Sequence, residues 1–299
     1  MICLLALLPG LFWTGGTDTA PALRHAGIEQ FCAPPALAAP WKQAGFSVTP
    51  LSDGELRSRI GLSTPGIDRK VMVASATTAP WVDSNGWRFR RKPDGEFYYE
   101  LPAGSGALAA AEAFAFDANA VLKIDPADLD AVGKMLQFLR AVPEKKLPDI
   151  ADFGFIDDGS DDAAEILNLL SRRNLLYKIV RAPDPHLRLN VPSNSDNPQL
   201  FAAKIREQLK DDQRSLRVYG SEVVLCRLVG DDSAARIHVL NYGRHTVDGI
   251  RLRVRGSYSH AKLYAPESGG QPADFAVADG FTEFSLPEIG AYAVVDLTR

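Results

Sequence analysis

The pattern of hydrophobic and polar positions along the chain changes once, near residue 215. Before that point, short apolar runs alternate with stretches whose apolar residues recur at helical spacing. Strands are predicted at 28–32, 46–51, 70–74, 121–124, 153–156 and 176–180, and helices at 35–45, 107–116, 129–142, 163–174 and 199–210. Repeated strand and helix units predict a mostly parallel sheet covered by helices over residues 23–214, either doubly wound or a partial barrel. The doubly wound form is favoured, because the helices are unequal and eight repeats cannot be counted.

From Leu216 onward, apolar and polar residues alternate with a period of two residues, which is the spacing of a strand. Arginines at 251, 253 and 255 alternate with apolar residues at 250, 252 and 254, which places them on opposite faces of a strand. Several short strands separated by Gly, Asp, Asn and Pro predict an antiparallel β-sandwich over residues 215–299. The arginine face suits an acidic polysaccharide or a partner, but a solvated strand face is the commoner explanation.

A tryptophan-rich loop, Trp81 to Trp87, follows the predicted strand at 70–74. The next segment, Arg88 to Leu101, alternates charged with aromatic residues around the turn sequence Pro93-Asp94-Gly95. This pattern predicts a β-hairpin inserted into the α/β domain.

The N-terminal residues Ile2 to Trp13 are almost wholly apolar and are followed by Ala20-Pro21-Ala22. This run is too short to span a bilayer, so stable membrane insertion is not expected, but it fits a secretory signal with an A-x-A cleavage site. No Lys or Arg precedes the run, so a buried N-terminal segment is the alternative. We favour a signal peptide at 1–22 and an extracytoplasmic location, secreted or periplasmic. Cys32 and Cys226 would remain, and two free thiols are favoured over a disulfide.

Composition narrows the class of partner. The 299 residues are enough for two domains, and 46% hydrophobic with 23% charged residues is ordinary for a globular protein. The formal net charge of -4 gives no clustered basic excess, so no nucleic-acid partner is expected. The sequence leaves a homo-oligomer open.

Acidic residues follow several predicted strands, and ligands of parallel α/β sheets bind beyond the carboxyl ends of strands. Sugar rings stack on tryptophan, and paired carboxylates supply the acid and the base or nucleophile of glycoside hydrolysis. We therefore assign Asp83 and Asp125, which follow predicted strands, and Glu100, at the end of the predicted hairpin, as candidate catalytic residues. The candidate substrate-binding residues are Trp81, Asn85, Trp87, Asp157 and Asp158.

Helix capping is the competing explanation for some of these acids. Asp125-Pro126-Ala127-Asp128 has a preferred N-cap followed by proline, and Ser160 can cap the helix after Asp158. Capping is the favoured explanation at both places. For the Trp81 to Trp87 loop, a binding site and a packed loop are equally favoured.

Other enzyme classes have weaker support. Gly104-x-Gly106-x-x-Ala109 with Asp125 matches a dinucleotide-binding fingerprint, but the preceding segment, Glu96 to Pro102, does not read as the buried strand that the motif needs. No G-x-S-x-G is present, and the five histidines show no metal-ligand spacing. We expect no metal and no cofactor.

The sequence from Asp149 onward resembles the back half of large bacterial glycoside hydrolases. The resemblance rests on Asp149 to Val180, on Leu216-Arg-Val-Tyr-Gly-Ser-Glu, on His238-Val-Leu-Asn-Tyr, and on Phe284 to Leu297. In family-42 β-galactosidases, an amidotransferase-like α/β domain precedes a small β-sandwich. The catalytic acids of those enzymes lie in an upstream barrel, so no catalytic residue is transferred to this chain.

The resemblance implies an exported carbohydrate-active or carbohydrate-binding protein, similar to a glycoside hydrolase if it is an enzyme. Its ligand would be a glycan or another small molecule. The main alternative is a non-catalytic accessory protein that binds a glycan or another protein. A dinucleotide-binding oxidoreductase is a minor alternative.

Overall fold

The computed structural model describes residues 8–68, 81–193, 197–266 and 269–299, so the predicted strand at 70–74 lies outside the described residues. The chain divides into two compact units. The first contains the described residues up to Gly66 together with Lys92–Glu144, and the second contains Ile67–Arg91 together with Lys145–Arg299.

The elements alternate between strand and helix before the sandwich begins. The first part contains β1 (Gly10–Phe12), α1 (Ala20–His25), β2 (Gln30–Ala33), α2 (Pro35–Gln43), β3 (Ser47–Pro50), α3 (Asp53–Ser58), β4 (Ile60–Leu62), β5 (Gly66–Asp68), β6 (Trp81–Asp83), α4 (Gly86–Arg91), β7 (Glu96–Glu100), α5 (Gly106–Ala115), β8 (Asn119–Lys123) and α6 (Leu129–Ala141). The remainder contains β9 (Phe153–Ile156), α7 (Asp161–Arg172), β10 (Tyr177–Val180), β11 (Asn190–Pro192), α8 (Pro198–Gln208), β12 (Leu216–Tyr219), β13 (Val224–Gly230), β14 (Ala234–Asn241), β15 (Arg251–Arg255), β16 (His260–Tyr264), β17 (Gly269–Gly270), β18 (Ala273–Ala278), β19 (Phe281–Ser285) and β20 (Tyr292–Thr298).

The first unit is built on a six-stranded sheet whose strand order is that of an opened barrel. The order is β3-β2-β1-β8-β7-β4, and all neighbouring strands are parallel. From β1 the chain steps through β2 to β3 at one edge, and β4 begins at the other edge and leads through β7 and β8 back to β1. A doubly wound sheet reverses direction at its centre, whereas these steps all run the same way. The α/β class is confirmed, and of its two predicted forms the partial barrel, not the favoured doubly wound form, matches this strand order.

Glycines allow the helices of the first unit to pack closely on its outer side. Helix α6 contacts both α5 and α1. A Cβ atom at Gly106 of α5 would lie 2.5 Å from Val132 of α6, and one at Gly133 would lie 2.1 Å from the carbonyl oxygen of Ala26. These close approaches require glycine at both positions.

The two faces of this sheet differ in what covers them. Tyr99 of β7 faces the helices, since its hydroxyl donates a 2.6 Å hydrogen bond to the buried Glu112 of α5. The opposite face, called here the inner face, carries a cluster formed by Phe12, Leu51, Leu56 and Val121, with Cys32 and Tyr98 packed against it. Because side chains alternate along a strand, Glu100 lies on the inner face with Tyr98.

The predicted signal sequence includes a strand of this sheet. Residues Gly10–Phe12 form β1, which pairs with β2 on one side and β8 on the other, and Leu11, Phe12 and Trp13 are buried. In the structure, residues 10–13 thus form a buried N-terminal segment, which was the alternative to a signal peptide. Cleavage after Ala22 would remove β1 from between its two neighbours. Among the described helices, none combines the length and apolar character needed to cross a membrane.

The hairpin predicted for Arg88 to Leu101 is wrong. Helix α4 occupies the first part, beginning where the Asn85 carbonyl accepts hydrogen bonds from the N–H groups of Arg88 and Phe89. The turn at Gly95 does form, but it leads from the helix into β7, which is parallel to both of its neighbours. The alternation of charged and aromatic residues did not distinguish a hairpin from a helix followed by a strand. The inserted two-stranded sheet is instead formed by β5 and β6.

The second unit begins with a small parallel sheet of order β10-β9-β11. The predicted strand at 153–156 and the helices at 163–174 and 199–210 are present as β9, α7 and α8, with small shifts of their ends. Strand β11 was missed, because it lies in a proline-rich segment that was predicted to be irregular.

The predicted β-sandwich is confirmed. Its antiparallel sheets have the orders β12-β15-β19-β18 and β13-β14-β20-β16-β17. The core between them includes Leu228, Ile237, Val254, Phe284 and Val295. The apolar positions of β15 thus face inward and its arginines face outward, as the period of two predicted.

Candidate functional site

Two oppositely charged residues end neighbouring parallel strands of the first unit. Glu100 of β7 is in register with Lys123 of β8, which is in turn in register with Phe12 of β1. Paired residues of parallel strands point to the same face, so Glu100 and Lys123 share the inner face with Phe12. We call Glu100, Lys123 and the nearby Asp125 the strand-end site.

Glu100 and Lys123 form an ion pair in solvent. Lys123 Nζ lies 2.7 Å from Glu100 Oε1, and the side chains of Lys123 and Glu100 are 40% and 66% exposed, respectively. The hydrogen bond and the positive charge of Lys123 hold the pKa of Glu100 below its ordinary value. Glu100 is therefore ionised at neutral pH, which suits a hydrogen-bond acceptor, base or nucleophile rather than a proton donor.

Asp125 follows Lys123 by two residues and lies next along the same edge. Its backbone is extended, with φ -67° and ψ 137°, so the alternation of side chains continues from the strand. A strand spacing of ~4.8 Å and a rise of ~3.3 Å per residue place the Cα atoms of Asp125 and Glu100 about 8 Å apart. Asp125 Oδ1 also accepts a 2.9 Å hydrogen bond from the Ala127 N–H. The predicted capping role and the position at the strand ends therefore coexist.

Two buried tryptophans hold the loop that leaves β1 at the same edge of the sheet. The indole N–H of Trp13 donates to the Thr19 hydroxyl at 3.0 Å, and that of Trp41 donates to the Gly15 carbonyl at 3.1 Å. A Cβ atom at Gly15 would lie 2.7 Å from the Trp13 indole nitrogen. The loop beside the strand-end site is therefore fixed by packing.

Cys32 continues the row formed by Glu100, Lys123 and Phe12, because it is in register with Phe12. Burial raises the pKa of its thiol, and the positive charge of Arg59 opposes this only in part. The thiol is therefore a weak nucleophile at neutral pH. Cys32 and Cys226 are both free thiols, as favoured.

The candidate residues from Trp81 to Trp87 lie in the second unit, where they pack against its α/β part. Trp87 is 8% exposed and belongs to the core cluster, and Trp81 packs against that cluster. The guanidinium groups of Arg88 and Arg172 lie 4.3 Å and 4.1 Å from the ring centroids of Trp87 and Trp81. Asn85 is fully buried and accepts a 3.0 Å hydrogen bond from Arg88 Nη1. These contacts are those of a packed segment.

Two polar groups of this segment leave a binding role open. Within the described part of the chain, the Ser84 hydroxyl and the Trp87 indole N–H are buried without a hydrogen-bond partner. A bound water or ligand would satisfy them. The binding role assigned to Trp81, Asn85 and Trp87 stays a prediction.

Asp83 ends β6 beside Arg172. Burial lowers the pKa of Arg172, and the negative charge of Asp83 opposes that shift. Asp83 thus balances a partly buried cation. It belongs to the second unit, whereas Glu100 and Asp125 belong to the first.

Asp157 and Asp158 are engaged with nearby groups at the end of β9. Asp157 accepts two 2.8 Å hydrogen bonds from Arg91, which joins α4 to this strand end. Asp158 accepts a 2.9 Å hydrogen bond from the Ser160 N–H. Hydrogen bonding to the Ser160 side chain, and next to it this backbone bond, lowers the pKa of Asp158. Ser160 caps α7 by accepting a bond from Ala163, as predicted.

The glycine motif before α5 holds a carboxylate of the chain itself. Asp128 accepts hydrogen bonds from the N–H groups of Gly104, Ser105 and Gly106 at 2.6, 3.0 and 2.8 Å. These are the groups that a bound pyrophosphate would use in a dinucleotide site. The segment before the motif forms β7, a strand of the parallel sheet in which Phe97 and Tyr99 are buried, but the N–H groups of the motif are already engaged by Asp128. The geometry therefore opposes the dinucleotide alternative.

Among the described residues, no group of three or more His, Cys, Asp or Glu side chains is placed to hold a metal ion. His238 is buried in the sandwich and contacts the Tyr292 hydroxyl through Nδ1 at 2.6 Å.

Sequence reasoning missed Lys123 as a residue of the strand-end site. It could have been found by extending the alternation of side chains along β8 to the last residue of that strand.

No protein-family model and no curated protein sequence matches this chain. Among solved structures, α-L-fucosidase isoenzyme 2 from Paenibacillus thiaminolyticus is similar with a TM-score of 0.51 and 9% identity, covering 93% of this chain and 71% of that one. At this identity the likeness is one of fold alone.

Two further similarities are weaker. The GH42 β-galactosidase Gan42B from G. stearothermophilus, in the form of a catalytic mutant, has a TM-score of 0.39 and 8% identity, covering 80% of this chain and 53% of that one. A rhamnosidase from Novosphingobium sp. PP1Y has a TM-score of 0.28 and 13% identity, covering 85% of this chain and 20% of that one. This chain thus spans about half of one and a fifth of the other. The architecture is one that occurs among glycoside hydrolases, and the resemblance is one of layout.

Proposed function

We propose that this protein is carbohydrate-active and of the glycoside hydrolase type, and that it binds a glycan at the strand-end site. The observation that carries the proposal is the placement of Glu100 and Asp125 on one face at the carboxyl ends of adjacent strands. Their Cα separation of about 8 Å is compatible with the 5 to 10 Å that separates the two carboxyl groups of a glycosidase. The fold likeness to a fucosidase supports the same class.

The role of Glu100 follows from its surroundings, because it is ionised beside Lys123 and is the member that accepts a proton or attacks the sugar. By elimination, Asp125 takes the other role of the pair and delivers a proton to the leaving oxygen. Lys123 orients Glu100 and offers N–H donors to sugar hydroxyls.

A non-catalytic glycan-binding protein is the second candidate. It is favoured by the hydrogen bond that Asp125 accepts from Ala127, since a general acid must be free to take up and release a proton. The same surface would then bind sugar hydroxyls through Glu100 and Lys123 without cleavage.

A glycan array and a panel of aryl glycosides separate the two candidates. We expect the wild-type protein to bind a glycan and to cleave a glycoside. Binding without cleavage supports the second candidate. If Glu100→Gln keeps both glycan binding and glycoside cleavage, the strand-end site is overturned. Asp130→Asn, an exposed acid on α6, is the matched control.

Export remains part of the proposal. If the protein is exported with its fold intact, the N-terminal strand β1 must be retained. The mass of the product recovered from outside the producing cell tests this, since a chain beginning after Ala22 would lack β1.

A further inference from the structure

The outward face of the four-stranded sandwich sheet carries four arginines. Arg251, Arg253 and Arg255 alternate along β15, and Arg217 of β12 is in register with Arg253. Leu252 lies between them on the other face and is buried in the core. Alternate residues of a strand are about 7 Å apart, so the β15 guanidinium groups begin from points spread over about 14 Å.

The positive charge of this face is only partly balanced. Glu283 of β19 lies 2.7 Å from Arg251 and 3.3 Å from Arg253, and Asp211 lies 3.0 Å from Arg217. Arg255 donates to the Asp212 carbonyl oxygen and interacts with the Asp152 carboxylate. The four guanidinium groups therefore meet the carboxylates of Glu283, Asp211 and Asp152, which leaves a small excess of positive charge on the face. The chain as a whole carries a formal net charge of -4, so this excess is local.

Aromatic side chains hold several of the guanidinium groups in place. The Phe281 ring centroid lies 4.0 Å from the Arg253 guanidinium carbon and 5.6 Å from that of Arg255. The hydroxyl of Tyr219, whose side chain is 43% exposed, accepts a 2.9 Å hydrogen bond from Arg217. A guanidinium stacked on a ring keeps its N–H edge available, so these donors are fixed before a ligand arrives.

One donor of this face remains unsatisfied. In the described part of the structure, Nε of Arg217 is buried without a hydrogen-bond partner, whereas Nε of Arg253 lies 3.3 Å from Glu283 Oε1. Arg251 donates to Glu283 through Nε and Nη2 but is 48% exposed, so an incoming anion can reach its guanidinium group beside this ion pair. Planar carboxylates match the two parallel N–H groups of a guanidinium.

We propose that this arginine face, Arg217 with Arg251, Arg253 and Arg255, binds an acidic polysaccharide whose sugars carry carboxylate groups. Repeated carboxylates along such a chain complement a row of guanidinium groups on a rigid sheet. Nucleic acid fits less well, because its binding depends on neutralising many phosphates and the positive excess of this face is small on an acidic protein. The inference deepens the proposed function and rests on it for the choice of a glycan.

Binding of the full chain to polygalacturonate, measured by affinity electrophoresis, tests the proposal. We expect the wild-type protein to be retarded at low salt, with retardation lost at high salt, and not to be retarded by neutral dextran. Loss of charge-assisted bonds in Arg251→Gln/Arg253→Gln should weaken binding about tenfold or more. Arg181→Gln/Arg188→Gln, which removes two exposed arginines elsewhere, should leave binding within about twofold of wild type.

Further variants keep the test independent of folding and of the strand-end site. Arg251→Gln alone changes a half-exposed side chain, so it should weaken binding without changing the unfolding temperature. Retardation by polygalacturonate and cleavage of small aryl glycosides are separate readouts, so the failure of either one is distinguished from the failure of the other. The proposal would be overturned if polygalacturonate did not retard the wild type, or if the control pair Arg181→Gln/Arg188→Gln lost as much binding as Arg251→Gln/Arg253→Gln. It would also be overturned if the wild type bound a DNA oligonucleotide as tightly as polygalacturonate.

Discussion

His238 is a buried imidazole in a face of the sandwich that also contains charged groups. Burial holds its pKa well below 6.5, and the positive charges of Arg227 and Arg236 act in the same direction. Arg236 is paired with the buried Asp296, and Nδ1 of His238 contacts the Tyr292 hydroxyl. The folded protein therefore keeps this histidine neutral.

This residue makes stability depend on pH. Below pH 6.5 the unfolded chain binds a proton at residue 238 that the folded chain does not, so stability is lost as pH falls toward the folded pKa. The contribution is up to about 1.4 kcal/mol per pH unit. Urea unfolding between pH 8 and 5 should show a smaller loss in His238→Gln. The exposed His245→Gln should keep the wild-type slope, and equal slopes in all three proteins would contradict this account.

Single residues of the site were partly predictable. Asp125 could be assigned because strand ends in a parallel sheet share one edge. Glu100 was assigned at the end of a predicted hairpin, whereas the structure places it at the end of the parallel strand β7. The pairing of Glu100 with Lys123 could not be predicted, because it depends on the register of β7 and β8. The burial of Trp87 depends on packing with residues distant in sequence.

At the scale of elements, the start of α5 depends on Asp128. Its carboxylate lies at the positive end of the helix and accepts three backbone hydrogen bonds. Asp128→Asn should lower the free energy of unfolding by about 2 kcal/mol, because it removes the charge and one acceptor. Urea unfolding measures the change. The exposed Asp130→Asn should cost about 0.5 kcal/mol or less, and similar costs for both variants would contradict this role.

Elements whose own residues determine them were predicted well, and those decided by tertiary contacts were not. Strand β9 and helices α7 and α8 have strong local periodicity and caps. The segment of α4 and β7 was misassigned, because its charge and aromatic pattern fits both a helix followed by a strand and a hairpin. An apolar run such as that containing β1 fits both a signal peptide, which was favoured, and a buried strand.

At the scale of the whole molecule, the first sheet requires its N-terminal strand. A chain beginning at Leu23 would lose the pairing of β1 with β2 and β8 and the burial of Leu11, Phe12 and Trp13. We expect this shortened chain to lack a cooperative thermal transition of the first unit, as monitored by circular dichroism. A transition unchanged from that of the full chain would show that β1 is dispensable.

The fold class was predictable from periodicity, because the switch from mixed helical and strand patterns to a period of two marks the sandwich. The order of the strands was not predictable from the sequence, since short βα units fit a doubly wound sheet as well as a partial barrel. The position of β4 at the far edge, beyond β7, depends on contacts between strands distant in sequence. The pairing of β7 with β8 is what brings Glu100 and Asp125 to adjacent strand ends.

The central claim is that these two carboxylates act together on a glycan. Its most direct test is the rate of glycoside cleavage by wild type, Glu100→Gln, Asp125→Asn and the control Asp130→Asn, on a glycoside that the wild type cleaves. We predict that each of the first two substitutions lowers the rate about 100-fold or more while the control retains wild-type activity. No cleavage of any glycoside by the wild type, or full activity in Glu100→Gln, would contradict the claim.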